Sequence, residues 1–201
     1  MWQKTLLTLF LLVAAEQLYC QEIEFGGYGS YTIELNLGAG DMEFFHNGGP
    51  VISNSGNGAY QYTVDISEAY ELDIVGVKYL DAVVQIEGPD YLYLDGDTNC
   101  ASDTCRIPLT LQAAYSNSGL LNNSPGNSTQ IAMNGNDATV RFPILARQFT
   151  PPGPPPPPPT EAFDQSLVEE TAVLYLYGSI EAGNLDAGSY FNYITITISY
   201  E

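Results

Sequence analysis

From Tyr190 to Tyr200 the chain alternates residue by residue: Asn192, Ile194, Ile196, Ile198 and Tyr200 share one parity, and Tyr193, Thr195, Thr197 and Ser199 the other. That period of two is what a strand with one buried and one wet face requires. Chain ends fray unless something ties them down, so a run patterned this strictly predicts a strand paired into a sheet. Whatever the rest of the chain does, it must supply that sheet.

The same signal recurs upstream. Strands are expected at 31–37, 60–66, 70–75, 77–86, 91–94, 107–113, 139–146 and 173–180, with the terminal one at 190–200. Tyr60, Tyr62, Val64 and Ile66 alternate against Gln61, Thr63 and Asp65, and Ile107, Leu109 and Leu111 against Pro108, Thr110 and Gln112. Asn47-Gly48, Asn57-Gly58, Asp95-Gly96 and Asn134-Gly135 supply residues that tolerate the positive φ of tight reversals. Short strands at turn-punctuated spacing predict an all-β fold, an immunoglobulin-like antiparallel β-sandwich of about seven to ten strands. Pro108 and Pro143 cannot donate to a ladder, so their strands are expected at an edge or a bulge. Helix signal is weak throughout, and 163–171 is the best candidate for one short helical turn.

The ends of the chain bound its compartment. Met1-Trp2-Gln3-Lys4 followed by the apolar run 5–15 reads as a signal peptide over 1–20, leaving 21–201 as a single sandwich domain of an exported, extracellular or surface protein. A lipid on Cys20 is the competing fate, and the bulky Tyr19 before it argues against it. No later stretch is apolar for long enough to span a bilayer as a helix. With 1–20 removed, Cys100 and Cys105 are the two remaining thiols, and a local disulfide is expected that stiffens a loop tip. The proline run at 151–159 favours a stiff polyproline II spacer. It reads as a loop inside the domain, because too few strands follow it to bury a second core.

Charge and motif content narrow the chemistry. Twenty-four acids against five basic residues give a net charge of −19, a surface that repels nucleic acid and anionic lipid. The single histidine, His46, lies beside Asn47-Gly48-Gly49, and no Gly-x-Ser-x-Gly elbow accompanies it. The expectation is a non-enzymatic protein with no catalytic residue and no cofactor. Asp95, Asp97 and Asn99, with Asp103 beyond, match the first half of a calcium loop, but Cys100 stands where such a loop needs glycine and Arg106 where it needs a bidentate glutamate. Those four are the metal candidates, set against an ordinary acidic hairpin tip. Asn127-Ser128-Thr129 matches a glycosylation sequon.

Gly188 lies fourteen residues from the end, counting Glu201 as the first, and Tyr200 is penultimate. That pairing resembles the C-terminal signature of chaperone-usher pilus subunits. Ala187-Gly188-Ser189-Tyr190, followed by the Thr-Ile alternation, is similar to the end of spore-coat-U-like and related archaic pilin domains and of other secreted bacterial sandwich domains. The resemblance covers 173–201 alone. It implies that Ile194, Ile196, Ile198 and Tyr200 form an assembly strand that docks on a periplasmic chaperone and later walls the groove around a neighbour's strand. The local disulfide, the chain length and the proline run depart from that pattern.

A second run fits the same picture. Ile23, Phe25, Gly27, Gly29, Tyr31, Ile33, Leu35 and Leu37 keep one parity, so Ile23, Phe25, Gly27 and Gly29 are candidates for a donor strand that fills the groove of a fibre neighbour or homo-oligomer. The plain reading makes 31–37 the first strand and the residues before it a lead. The expected role is therefore a structural or adhesive subunit assembling by strand complementation. The rival is a monomeric surface module that binds carbohydrate or protein through tyrosine-rich strands, with Tyr91, Tyr93, Tyr175 and Tyr177 as its cluster.

Overall fold

Strands form where β-branched and aromatic residues alternate with polar ones, and the tight reversals fall between them. The computed structural model describes residues 31–38, 42–44, 60–78, 80–147 and 168–201. The expected signal at 1–20, the donor run Ile23 to Gly29, His46 and the proline run 151–159 lie outside the described residues. Eleven strands occur among those described, against the seven to ten expected: β1 (Glu34–Leu37), β2 (Tyr60–Val64), β3 (Tyr70–Val77), β4 (Asp81–Glu87), β5 (Tyr91–Leu94), β6 (Arg106–Ser116), β7 (Thr129–Gln130), β8 (Ala138–Pro143), β9 (Glu169–Ala182), β10 (Tyr190–Phe191) and β11 (Thr195–Tyr200). The two-residue β7 carries no alternation that a reader of the sequence could use.

All pairings are antiparallel and fall into two sheets. Sheet I runs β1-β3-β9-β6-β5-β10, with β2 also on β9 and β7 also on β6. Sheet II runs β11-β4-β8. Between them lies one core, in which Leu72, Ile74, Leu111, Ala113, Leu174 and Leu176 of sheet I meet Ala82, Val84, Ile86 and Phe142 of sheet II. Tyr115 stacks on Phe142 across the layers with ring centroids 4.0 Å apart and planes 5° from parallel. This is an antiparallel sandwich of immunoglobulin-like character.

β9 is the hub of sheet I, holding β2 and β3 in series along one edge and β6 along the other. Between Val64↔Gly178 and Tyr70↔Leu176 the partner chain loops out through a short 3-10 turn at Ile66–Glu68, opposite Tyr177 alone. Gly178 sits at that irregularity with φ +154°, and a Cβ there would run into the Thr110 carbonyl oxygen of β6. Glycine is required by both backbone and space. Val173, Tyr175 and Tyr177 are buried on the outer face of β9, packed with Ala114 beneath Val64, Ile66 and Ala69. Both faces of this strand are therefore covered.

On the far edge of β6, β5 and β7 leave a gap that one side chain closes. Asn136 accepts from the Leu111 amide at 2.7 Å and donates to the carbonyls of Leu109 at 2.9 Å and Pro89 at 2.6 Å. Its amide does the work of a strand backbone, and the residue is 6% exposed.

Three expectations about elements are corrected. β6 is interior, although Pro108 predicted an edge or bulge; the strand tolerates it because the Leu109 amide points to Asp90 on the β5 side, which turns the Pro108 nitrogen toward β9, where the ladder begins only at Leu109↔Ile180. Pro143 fits its edge position, ending β8. The turn expected at 163–171 is replaced in its described part by extended chain, since Glu169, Glu170 and Thr171 open β9. The strand expected over 190–200 is two strands: β10 pairs with β5 in sheet I and β11 with β4 in sheet II. The chain changes sheets at 192–194, where Asn192 donates to the Tyr91 carbonyl at 2.9 Å and accepts from the Tyr193 amide at 2.8 Å. Alternation survives a corner, so periodicity alone cannot reveal one.

Candidate functional site

The terminal alternation that defines β11 places Ile196, Ile198 and Tyr200 opposite Ile86, Val84 and Ala82 of β4, on the same face. The three β4 side chains are wholly buried, at 0% exposure. Their β11 neighbours, one strand further out, are only half-buried, as is Ile194. Across the core the pattern repeats: Leu35 of β1 lies opposite the fully buried Ile74 of β3, yet Leu35 and Ile33 are half-buried and Leu37 is 71% exposed. Among the described residues β1 and β11 are both edge strands. Core-type side chains on two facing edges, with their cover withdrawn, make a seam along one side of the sandwich. An apolar edge of this kind is a template for a further strand.

Tyr200 closes one end of the seam. Its hydroxyl accepts from the Val77 amide of β3 at 2.7 Å and donates to the Thr32 carbonyl just before β1 at 2.9 Å, so a residue of sheet II is bonded to β3 and to the lead of edge strand β1 in sheet I. Burial is the main cause that raises its phenol above the ordinary tyrosine value, opposed by the Val77 hydrogen bond and helped by Glu169. Gly76 makes the space: a Cβ there would stand 2.5 Å from the Tyr200 hydroxyl. The four residues Ile194, Ile196, Ile198 and Tyr200 are thus brought together on one face of the seam. The donor candidates Ile23, Phe25, Gly27 and Gly29 lie outside the described residues.

The other sequence candidates fall elsewhere. Cys100 and Cys105 stand with Cα atoms 6.2 Å apart at the end of the β5–β6 hairpin, within disulfide reach. The four metal candidates in that hairpin do not converge. Asp97 accepts from the Asn99 amide and side chain at 3.1 and 3.0 Å, and Asp103 pairs with Arg106 at 2.8 Å. Among the described residues no group of three acidic, histidine or cysteine side chains is placed to hold a metal.

The tyrosine cluster divides. Tyr175 and Tyr177 are 1% and 6% exposed beneath the 3-10 turn, where Tyr177 bonds the Gln130 side chain, so they present nothing to a ligand. Burial, with Glu71 and Asp73 nearby, pushes the Tyr175 phenol up to about 12. Tyr91 and Tyr93 stay at the surface on β5, with ring centroids 6.2 Å apart. Sequence reasoning joined four residues that share a type and, through β6, the outer face of sheet I, but not their exposure. It missed Phe191 and Tyr193, 43% and 79% exposed, which belong with the β5 pair. Their exposure comes from the change of sheets at 192–194.

No family model matches the chain. No curated protein matches it. A solved structure described as a chaperone–tip adhesin complex of CFA/I fimbriae biogenesis aligns with 84% of this chain and 42% of its own, at 16% identity and a TM-score of 0.36. The chain spans less than half the length of that structure, and at this score the likeness establishes no role.

Proposed function

We propose that the chain is a non-enzymatic structural or adhesive subunit of an exported assembly, joined to its neighbour by a strand that enters the seam between β1 and β11. The observation that carries this reading is the step in burial across a single strand: Ile196, Ile198 and Tyr200 lie half-covered beside wholly buried Ile86, Val84 and Ala82. A strand laid along β11 would cover that row and pair the outer edge of β11, giving affinity through the main chain and selectivity through alternate side chains. The donor is the segment carrying Ile23, Phe25, Gly27 and Gly29 of a second copy, whose parity continues into Ile33 and Leu35. Before assembly, a periplasmic chaperone would cover the same edge.

Size analysis of the refolded chain with and without residues 21–30 tests this. The longer form self-associates and the shorter form is monomeric until a synthetic peptide of residues 21–31 is added, which it binds. Equal, monomeric behaviour of both forms, together with no uptake of the peptide, refutes strand complementation.

A further inference from the structure

Sheet I has a second exposed feature, on its β10 edge rather than its β1 edge. Phe191 lies opposite Tyr93, and Tyr93 opposite Arg106, while Tyr91 lies opposite Pro108. Residues opposed across a ladder, and residues two apart on one strand, share a face. Tyr91, Tyr93, Phe191, Arg106 and Pro108 therefore stand on one side of the sheet. Leu92, Ile107, Leu109 and Tyr190 take the other, where they pack with Ile180 and Leu185. Tyr193 extends the strip, edge-on to Phe191 with centroids 6.3 Å apart. Phe191 and Tyr193 are exposed and Tyr91 and Tyr93 half-buried, and apolar area left open in one patch costs solvation unless something covers it.

We propose that this strip docks a cationic, arginine-bearing polypeptide segment. Its chemistry favours positive charge twice over. Aromatic faces attract cations, and the adjoining turns carry Asp90, Asp95, Asp97 and Asp103, all exposed. The chain shows how one guanidinium is held there: Arg106 lies over the Tyr91 ring at 4.6 Å from its centroid while its nitrogen meets Asp103 at 2.8 Å. Among the described residues Arg106 is the cation found over the strip, which leaves Tyr93, Phe191 and Tyr193 to take incoming groups in the same way. Arginine suits the site better than lysine because a planar guanidinium stacks while bonding a carboxylate in its own plane. The net charge of −19 would steer such a segment from a distance. A neutral glycan would gain nothing from the acids, and an anionic one would be repelled.

Fluorescence anisotropy of a labelled octa-arginine peptide against the full chain at physiological salt tests the site. The expected result is binding that weakens about threefold for Tyr193→Ala and more than tenfold for Tyr93→Ala/Phe191→Ala/Tyr193→Ala, at unchanged net charge, each ring contributing at the exposed cation–π scale. Octa-lysine should bind more weakly. Asp103→Asn should weaken the complex more than Asp73→Asn on β3. Tyr193 is 79% exposed, so its single variant stays folded by circular dichroism and decides the matter even if the triple variant does not. Equal binding by wild type and the aromatic variants would mean bulk charge alone and would overturn the proposal. So would binding of a neutral β-glucan hexasaccharide that the same substitutions abolish.

Discussion

Tyr200→Phe isolates the hydroxyl that ties sheet II to the edge of sheet I. The substitution keeps the ring, the β11 register and the packing of the seam, and removes two hydrogen bonds, from the Val77 amide at 2.7 Å and to the Thr32 carbonyl at 2.9 Å. Each is worth about 1 kcal/mol net, and a buried amide left without an acceptor adds part of its desolvation penalty of about 1–3 kcal/mol. Val77 is 5% exposed, so its amide has poor access to water. The expected loss is about 2–3 kcal/mol in urea unfolding at neutral pH, with an unchanged denaturant slope. The pH dependence gives a second handle. Burial raises the Tyr200 phenol in the folded state, so its contribution is complete below the ordinary value near 10 and is lost as pH climbs through the folded value. Wild type and variant should thus converge in alkali, while Tyr175 and Tyr190, present in both, cancel from the difference. A loss under about 0.5 kcal/mol, or a gap that does not change with pH, would show that the hydroxyl is no clasp.

Three further outcomes follow from the sheets themselves. Gly178→Ala combines a backbone at φ +154° with a methyl group driven at the Thr110 carbonyl, and should cost about 3 kcal/mol or more, read as a fall in thermal midpoint. Asn136→Ala strips three hydrogen bonds from the gap in β6 and should cost about 3 kcal/mol, with faster hydrogen exchange at the Leu111 amide as its local signature. Tyr175 should ionise near pH 12 in an ultraviolet titration of the folded chain, and a transition of this residue at the ordinary value would contradict its burial under the 3-10 turn.

Much of the framework is legible because the side-chain period follows the pleat. The expectation at 91–94 coincides with β5, and alternation at Ile107, Leu109 and Leu111 names the buried face of β6. The seam residues of β11 are read correctly as one face for the same reason. What the pattern hides is everything set by a partner. A proline's cost depends on which neighbour its nitrogen faces, so Pro108 misleads. A strand that turns a corner keeps its parity, so β10 and β11 look like one element. Asn136 carries no strand signal, because its amide replaces a strand through the side chain. Tyrosine content says nothing of exposure either, and so Tyr175 and Tyr177 are grouped with Tyr91 and Tyr93, although the 3-10 turn covers the first pair.

The Tyr200 clasp joins residues 123 and 168 positions apart. Closing a loop of that length is entropically expensive, and two sheets must already be paired and docked before the hydroxyl finds both partners. The expectation is that it forms after the folding barrier is crossed. Its energy sets how long the native state lasts and leaves the speed of reaching it unchanged: Tyr200→Phe should quicken unfolding while the refolding rate stays put. A latch that acts only on the way out is a means of lasting.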